Sequence, residues 1–245
     1  MGADGAAGAP SLRLVAGLGN PGPRYAGTRH NAGQLVVEEL ARRLGAGRFA
    51  DRYAGRYLDT RGPAGPVALL VPTTFMNDSG RSVGPAAGSL RIPPERILVV
   101  HDEIDLPFGT VRAKRGGGHG GHNGLRSIVQ GVGGNDFARV RVGVGRPPEH
   151  FRGDAAAWVL ARFSEPAAEV EAMVGRAADM AEVALAEGLE SAIARFHASE
   201  PGAKARERIR RREERRAVEG EGDAADPGSQ GRPAAGEPAS PAGDT

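Results

Sequence analysis

The chain has 245 residues, of which 40% are hydrophobic and 25% charged, enough for one sizeable α/β domain with tails. Cysteine is absent, which excludes disulfides, thiol nucleophiles and cysteine metal sites. The formal charge is +2, but the last 27 residues hold six acids and one arginine, which leaves +7 on residues 1–218 and suggests an anionic partner.

Hydrophobic periodicity predicts strands and helices that alternate along the chain. Residues 97–100 form a wholly apolar run, which is typical of a central buried strand. In chain order we predict a strand at about 12–16, a helix at 34–44, strands at 56–60 and 67–71, a helix at 79–90, strands at 97–100 and 110–115, a helix at 124–132, a strand around 140–144, and helices from Pro166 to Gly188 and from there to about 197.

The two ends of the chain differ in composition from its middle. We expect residues 1–10, rich in glycine, alanine and proline, to be disordered, and residues 11–200 to form the single domain. Residues 201–218 are dense in arginine and could be a solvated helix or a nucleic-acid-binding extension, and residues 219–245 are expected to be a disordered tail.

No apolar run approaches the roughly 20 residues of a membrane span. Residues 1–10 also lack an apolar signal core, so we predict a cytoplasmic protein without membrane association.

A loop rich in reactive side chains follows the first predicted strand. Residues 17–31 carry two amides, Asn20 and Asn31, the phenol of Tyr25 and the imidazole of His30, which titrates near neutrality. Open α/β sheets place their ligands at such strand ends. The groups suit a hydrolase without a covalent nucleophile, and we predict that His30 is its general base.

Asp102 is the predicted partner of His30, since it follows the apolar run 97–100 at a strand end. An aspartate that accepts a hydrogen bond from one imidazole nitrogen fixes the tautomer and raises the basicity of the other nitrogen, which can then take a proton from water. Neighbouring asparagine amides could hold that water and donate to the developing oxyanion, a contribution of about 3 kcal/mol per donor in known enzymes. An isolated His30 would more often be an ordinary histidine.

The glycines of the same loop formally match a dinucleotide-binding fingerprint, Gly17-x-Gly19-x-x-Gly22. That motif requires a helix that begins at the glycines, whereas Pro21 and Pro23 favour a turn here. We therefore expect the glycines to allow a tight turn and a close approach of substrate rather than to bind a dinucleotide.

A second glycine-rich stretch, residues 116–124, contains His119 and His122. The two histidines could belong to a metal site, although a flexible glycine run is a poor scaffold and no further ligand motif is evident. The same stretch could instead expose backbone N–H groups, and its exit into a helix near Asn123 would make a phosphate cradle.

Five sequence blocks in a fixed order resemble bacterial-type peptidyl-tRNA hydrolases, and the similarity covers about residues 12–198. The blocks are Gly-Leu-Gly-Asn-Pro-Gly (17–22), Thr-Arg-His-Asn-Ala-Gly (28–33), Pro-Thr-Thr-Phe-Met-Asn (72–77), His-Asp-Glu-Ile-Asp-Leu-Pro (101–107) and Gly-Gly-Gly-His-Gly-Gly-His-Asn-Gly-Leu (116–125).

The resemblance implies a monomeric α/β domain with a twisted, mostly parallel or mixed β-sheet flanked by helices. It also implies hydrolysis of the ester that joins a peptide or N-blocked aminoacyl group to tRNA, so that the tRNA returns to translation. The expected partner is the acceptor end of the tRNA. Neither cofactor nor metal nor covalent intermediate is expected, because an ester needs only an activated water and an oxyanion stabiliser.

The resemblance also assigns roles to individual residues. His30 matches the catalytic base, Asp102 the carboxylate that orients it, and Asn20 the position that distinguishes blocked from free aminoacyl-tRNA. Substrate-contacting positions match Tyr25, Phe75, Asn77 and Asn123. Candidate phosphate contacts, which could equally be a solvated strand face, are Arg112, Lys114, Arg139 and Arg141.

Two hypotheses of other classes remain open beside the esterase. One is a tRNA- or ribosome-associated binding module whose glycine-rich cradle holds phosphates without catalysis. The other is a metal-dependent phosphoesterase that uses His119 and His122.

Overall fold

Seven strands and six helices make up the part of the chain that the computed structural model describes, residues 11–199. The expectations for residues 1–10, 201–218 and 219–245 lie outside this part. The strands are β1 (Leu14–Gly17), β2 (Ala50–Arg52), β3 (Gly55–Gly62), β4 (Gly65–Pro72), β5 (Ile97–Glu103), β6 (Val111–Arg115) and β7 (Ala138–Gly143). The helices are α1 (Ala32–Arg43), α2 (Gly80–Leu90), α3 (Asn123–Val132), α4 (Ala155–Leu160), α5 (Ala167–Glu187) and α6 (Leu189–Ser199).

The strands form one mixed sheet in the order β2-β3-β4-β1-β5-β7-β6. The four central strands, β4, β1, β5 and β7, run parallel to one another, and the outer pairings of β2, β3 and β6 are antiparallel. The residues of β5 from Ile97 to Val100 are wholly buried, as expected for an apolar run in the middle of a sheet. The predicted α/β class with a mixed sheet is confirmed.

Helices cover both faces of the sheet and give it two hydrophobic cores. On one face α1, α5 and α6 pack on the valines and leucines of the strands. On the other face α2 and α3 pack on the alternate residues of the same strands. No helix within residues 11–199 combines the length and the apolar character that crossing a membrane requires.

Glycines let α2 and α3 lie unusually close together. A Cβ atom added to Gly84 would lie 2.5 Å from the carbonyl oxygen of Gly131, and one added to Gly80 would lie 2.1 Å from that of Ser127. Such distances are incompatible with any side chain. The glycines that lower the helix propensity of α2 are therefore required by its packing.

One strand and one α-helix escape the sequence prediction, β2 and α4. Strand β2 has three exposed residues and is held by antiparallel pairing with β3, so it shows no alternation of buried and exposed positions. Helix α4 has six residues, too few for a helical period, and Asp154 caps it by accepting a hydrogen bond from the Ala157 N–H at 2.8 Å. Strand β5 also runs to Glu103, past its predicted end at residue 100.

Candidate active site

A pocket of about 570 Å³ opens at the carboxyl ends of the parallel strands β4, β1 and β5. Its walls come from the segments that follow these three strands, from the glycine-rich loop with the start of α3, and from α4. This is the edge of an open α/β sheet at which ligands bind. The lining includes Asn20, Tyr25, His30, Phe75, Asn77, Asp102 and Asn123, the full set of predicted catalytic and substrate-contacting residues.

His30 lies in a 3-10 turn, Arg29–Asn31, that leads directly into α1. The first turn of α1 packs tightly on β5, because a Cβ atom at Gly33 would be only 2.2 Å from the Val100 carbonyl oxygen. The Nδ1 atom of His30 lies 2.9 Å from Oδ1 of Asp102. The structure thus joins the two residues that the sequence proposes as base and partner, 72 positions apart in the chain.

His122 is a second imidazole on the same carboxylate oxygen, with its Nε2 atom 3.0 Å from Oδ1 of Asp102. Its Nδ1 atom caps α3 by accepting from the Leu125 N–H at 3.4 Å, so the proton of a neutral His122 resides on Nε2 and is donated to Asp102. An ionised Asp102 can only accept, so His30 also donates to it, through Nδ1. The free lone pair of His30 is therefore on Nε2.

The surroundings of these groups shift their pKa values in a way that suits a base. Burial alone would lower the pKa of His30, but the charge of Asp102 and the hydrogen bond to it outweigh burial and raise the pKa above the ordinary value. Burial alone would raise the pKa of Asp102, and its attraction to His30 and His122, together with their hydrogen bonds, holds that pKa well below the usual range. Asp102 therefore remains a carboxylate throughout the range in which His30 titrates.

His101 stands behind the carboxylate and stays neutral. It is 2% exposed, and its Nδ1 donates to the backbone carbonyl oxygen of Asp102 at 2.7 Å. Burial and the neighbouring His122 ring lower the pKa of His101 well below the ordinary value. Because its N–H is donated to the backbone carbonyl oxygen and not to the carboxylate, His101 does not compete with His30 for the Asp102 side chain.

The side-chain amide of Asn20 is held in a fixed orientation. Its Oδ1 accepts from the Met76 N–H at 2.8 Å, while Asn31 bonds both the backbone N–H and the carbonyl of Asn20, at 2.8 and 3.0 Å. Asn20 is only 6% exposed and lines the pocket. Since Oδ1 is occupied, Nδ2 is the part of this amide that is available to a ligand.

Aromatic and apolar groups form the outer part of the pocket. Tyr25 and Phe75 meet edge to face with ring centroids 6.2 Å apart. Phe75 is 54% and Leu160 43% exposed, and they are the exposed large hydrophobic residues of the described chain. Large apolar side chains that remain exposed beside a polar cluster are typical of a ligand-binding surface.

Helix α4 contributes a wall of the pocket that the sequence does not predict. Ala155, Ala156, Val159 and Leu160 line it, but no periodicity marks so short a helix. The aspartate at position 154 that precedes three alanines is the one local sign of its start.

The metal-ligand cluster of residues 11–199 differs from the one considered from the sequence. It consists of His30, Asp102 and His122, whose ligand atoms lie within 4.8 Å of one another, and it does not include His119. His119 is exposed, and its Nδ1 accepts from the Gly121 N–H at 3.1 Å. The three residues could hold a divalent ion only if His30 and His122 gave up the N–H groups that they donate to Asp102.

The chain contains a serine-hydrolase motif that does not line the pocket. Gly80-Arg81-Ser82-Val83-Gly84 matches the Gly-x-Ser-x-Gly pattern of serine hydrolases. Ser82 is wholly buried in α2 instead of standing exposed on a sharp turn after a strand. It is therefore a packing residue rather than a nucleophile.

The predicted phosphate contacts lie across from one another on β6 and β7. Arg112 pairs with Arg141 and Lys114 with Arg139 in the strand register. Burial and the charges of Arg139 and Arg141 lower the pKa of Lys114. Arg141 also binds the Glu103 carboxylate at 3.0 Å.

Arg139 differs from the other three cations. It is 1% exposed, and its guanidinium donates to the carbonyl oxygens of Gly118 at 2.7 Å and Gly117 at 2.6 Å. The group thus ties the glycine-rich loop to β7. This burial and these two hydrogen bonds argue against Arg139 as a phosphate contact.

Comparison with known proteins identifies close relatives. Residues 14–205 match the family model described as peptidyl-tRNA hydrolase. The chain is 50% identical over 187 residues to a peptidyl-tRNA hydrolase of Mycolicibacterium vanbaalenii, which covers 76% of this chain and 96% of that protein. It is also 50% identical over 188 residues to one of Mycobacterium tuberculosis, covering 76% and 97%. A crystal structure of peptidyl-tRNA hydrolase from Acinetobacter baumannii superposes with a TM-score of 0.69 at 39% identity, covering 78% of this chain and 97% of that one.

Proposed function

The chain belongs to the peptidyl-tRNA hydrolase family, and from this premise we infer that it hydrolyses the ester bond between peptide and tRNA in peptidyl-tRNA. The reaction frees the tRNA for reuse in translation. The observation that supports this chemistry most directly is the His30–Asp102 pair, with a free imidazole nitrogen, in the wall of the pocket.

We propose that His30 Nε2 takes a proton from a water molecule, which then attacks the ester carbonyl carbon. Asp102 keeps the proton of His30 on Nδ1 and stabilises the imidazolium that forms. The hydrogen bond from His122 to the same oxygen keeps Asp102 ionised and fixes the direction of its carboxylate. The tetrahedral intermediate then collapses, and the imidazolium returns the proton to the leaving ribose oxygen of the tRNA.

The amides of the pocket supply donors for the substrate. We propose that Asn20 Nδ2 binds the peptide part, because the Asn20 amide oxygen is already used by Met76. Asn77 and Asn123 line the same pocket and are candidates for the attacking water and the oxyanion. No metal is assigned a role, since the carboxylate oxygen that would bind one already accepts two N–H groups.

Selectivity for the tRNA end and for blocked amino groups is assigned to the outer pocket. Tyr25 and Phe75 offer faces and edges for stacking on an unpaired base or on a peptide side chain. Arg112, Lys114 and Arg141 are the proposed backbone phosphate contacts on β6 and β7. We further propose that the protein acts as a monomer in the cytoplasm, where translation supplies the substrate.

The proposed function is tested by single-turnover cleavage of N-acetyl-aminoacyl-tRNA by the wild-type protein in EDTA, beside unblocked aminoacyl-tRNA. We expect release of the blocked aminoacyl group and slow or no release of the free one. Loss of activity on chelation, with recovery on adding zinc, would replace the metal-independent mechanism. Tight tRNA binding without any release would instead support a binding module.

Substitution Asn20→Asp is expected to reduce the ratio of blocked to unblocked cleavage by about 5- to 150-fold, which corresponds to the roughly 1–3 kcal/mol lost when a buried polar group of the substrate is left without its hydrogen bond. The carboxylate can still accept from Met76 but has no N–H for the peptide. The ratio of single-turnover kcat/KM values for the two substrates measures the effect. Asn135→Asp, on an exposed loop, is the matched control, and an unchanged ratio in Asn20→Asp would remove Asn20 from substrate discrimination.

A further inference from the structure

Arg29 precedes His30 in the chain, yet its side chain is buried and does not line the pocket. It contacts α4 and the segment that follows α4 instead. The guanidinium carbon lies 3.6 Å from the ring centroid of Trp158 in α4. One guanidinium nitrogen donates to the carbonyl oxygen of Arg162, and another contacts the Glu165 carboxylate at 2.9 Å. The Arg29 side chain therefore spans the whole connection from α4 to α5.

The backbone around Arg29 holds the same segment. The Arg29 N–H donates to the Ala161 carbonyl oxygen at 3.1 Å, and the Phe163 N–H donates to that of Gly27 at 3.2 Å. Among the described elements, the 3-10 turn that carries His30 is the main neighbour of α4, and β5 packs against the same turn. The position of α4 is thus tied to the turn that carries the catalytic base.

Helix α4 has two faces, one that lines the pocket and one that contacts Arg29. Val159 and Leu160, with two alanines of the first turn, line the pocket. Trp158 is on the other side, where it is 8% exposed, stacks on Arg29 and donates its indole N–H to the Gly145 carbonyl oxygen at 2.8 Å. A shift of Trp158 on the guanidinium would move the pocket wall by a similar amount, because six residues of helix behave as a rigid body.

We propose that Arg29 is a positioning residue that sets the width of the pocket over His30 by holding α4 through the Trp158 stack and the bonds to Arg162 and Glu165. The inference rests on the proposed function, and it adds a determinant of substrate binding outside the pocket itself. Arginine suits this role and lysine does not, because only a planar guanidinium can stack on an indole while its edges bind a carbonyl and a carboxylate.

If Arg29 positions α4, its replacement should weaken substrate binding without changing the chemical step. The His30–Asp102 hydrogen bond and the charges around it do not involve the Arg29 side chain, so the pH midpoint of the chemical step should not move. The substrate contacts of α4 should weaken, so the substrate concentration dependence should change. A residue that merely stabilises the fold would not change the substrate concentration dependence while leaving the pH midpoint unchanged.

The experiment uses the full chain with Arg29→Met and Arg29→Lys, and Arg43→Met as the control. Arg43 carries comparable ion pairs, to Glu39 and Asp179, at a distance from the pocket lining. We expect the half-saturating enzyme concentration for N-acetyl-aminoacyl-tRNA to rise about tenfold in Arg29→Met and less in Arg29→Lys, as loss of one good contact implies. We expect the saturating rate to stay within about threefold and the pH midpoint to remain unchanged.

Trp158 is the one tryptophan of the chain, so its fluorescence reports on the stack directly. Acrylamide should quench it more strongly in both Arg29 variants than in wild type and the control. Unchanged quenching and half-saturation in Arg29→Lys would overturn the inference even if Arg29→Met does not fold. An equal rise in Arg43→Met would also overturn it. A wild-type protein that fails to cleave the substrate would refute the proposed function instead, and the quenching would still decide whether Arg29 holds α4.

Discussion

Replacing His30 with alanine is expected to lower the saturating single-turnover rate by about 10²–10⁴-fold, the usual contribution of a general base. The His30 side chain is the group whose free nitrogen faces the pocket, while the nitrogen on its other side is held by Asp102. Asp102 keeps its hydrogen bond from His122 in this variant, so the buried carboxylate is not left unpaired. We therefore expect the fold and the binding of substrate to be largely preserved.

The measurement is release of the aminoacyl group from N-acetyl-aminoacyl-tRNA with enzyme in excess, so that product release does not limit the rate. His150→Ala is the matched control, because His150 is exposed and outside the pocket lining. Cleavage at near wild-type rate by His30→Ala would leave the family assignment in place but would require another base.

Asp102→Asn is expected to lower the saturating rate by a comparable factor, about 10²–10⁴-fold, with little change in substrate binding. The asparagine oxygen can still accept from both imidazoles, but it carries no charge to stabilise the imidazolium of the transition state. The pKa of His30 should fall, because burial remains and the attraction of the carboxylate is lost.

The pH dependence of the rate distinguishes this explanation from a loss of geometry. The base acts in its neutral form, so the wild-type rate should rise as pH increases through a midpoint above the ordinary histidine pKa of 6.5. In Asp102→Asn the midpoint should move to lower pH. Asp105→Asn, which removes an exposed partner of Arg146, is the control and should change neither rate nor midpoint. A variant with full turnover would exclude Asp102 from the mechanism.

Much of the secondary structure could be predicted because it depends on local patterns. The apolar run of β5 and the helical faces of α1 and α5 appear in the structure within a few residues of their predicted bounds. The elements that were missed, β2 and α4, are too short for a pattern of burial to repeat. Their stability comes from a neighbouring strand in one case and from a capping residue and a stacked tryptophan in the other.

The sequence by itself determined the order of the longer elements, the family, and the residue types of the site, because motifs and periodicities are local properties of the chain. Only the tertiary structure decided which groups meet. His122 shares the carboxylate of Asp102, Arg139 donates its hydrogen bonds to the glycine-rich loop, and Arg29 contacts α4. These contacts join segments 20 to 136 residues apart. Their geometry follows from strand order and helix packing, which no local pattern encodes.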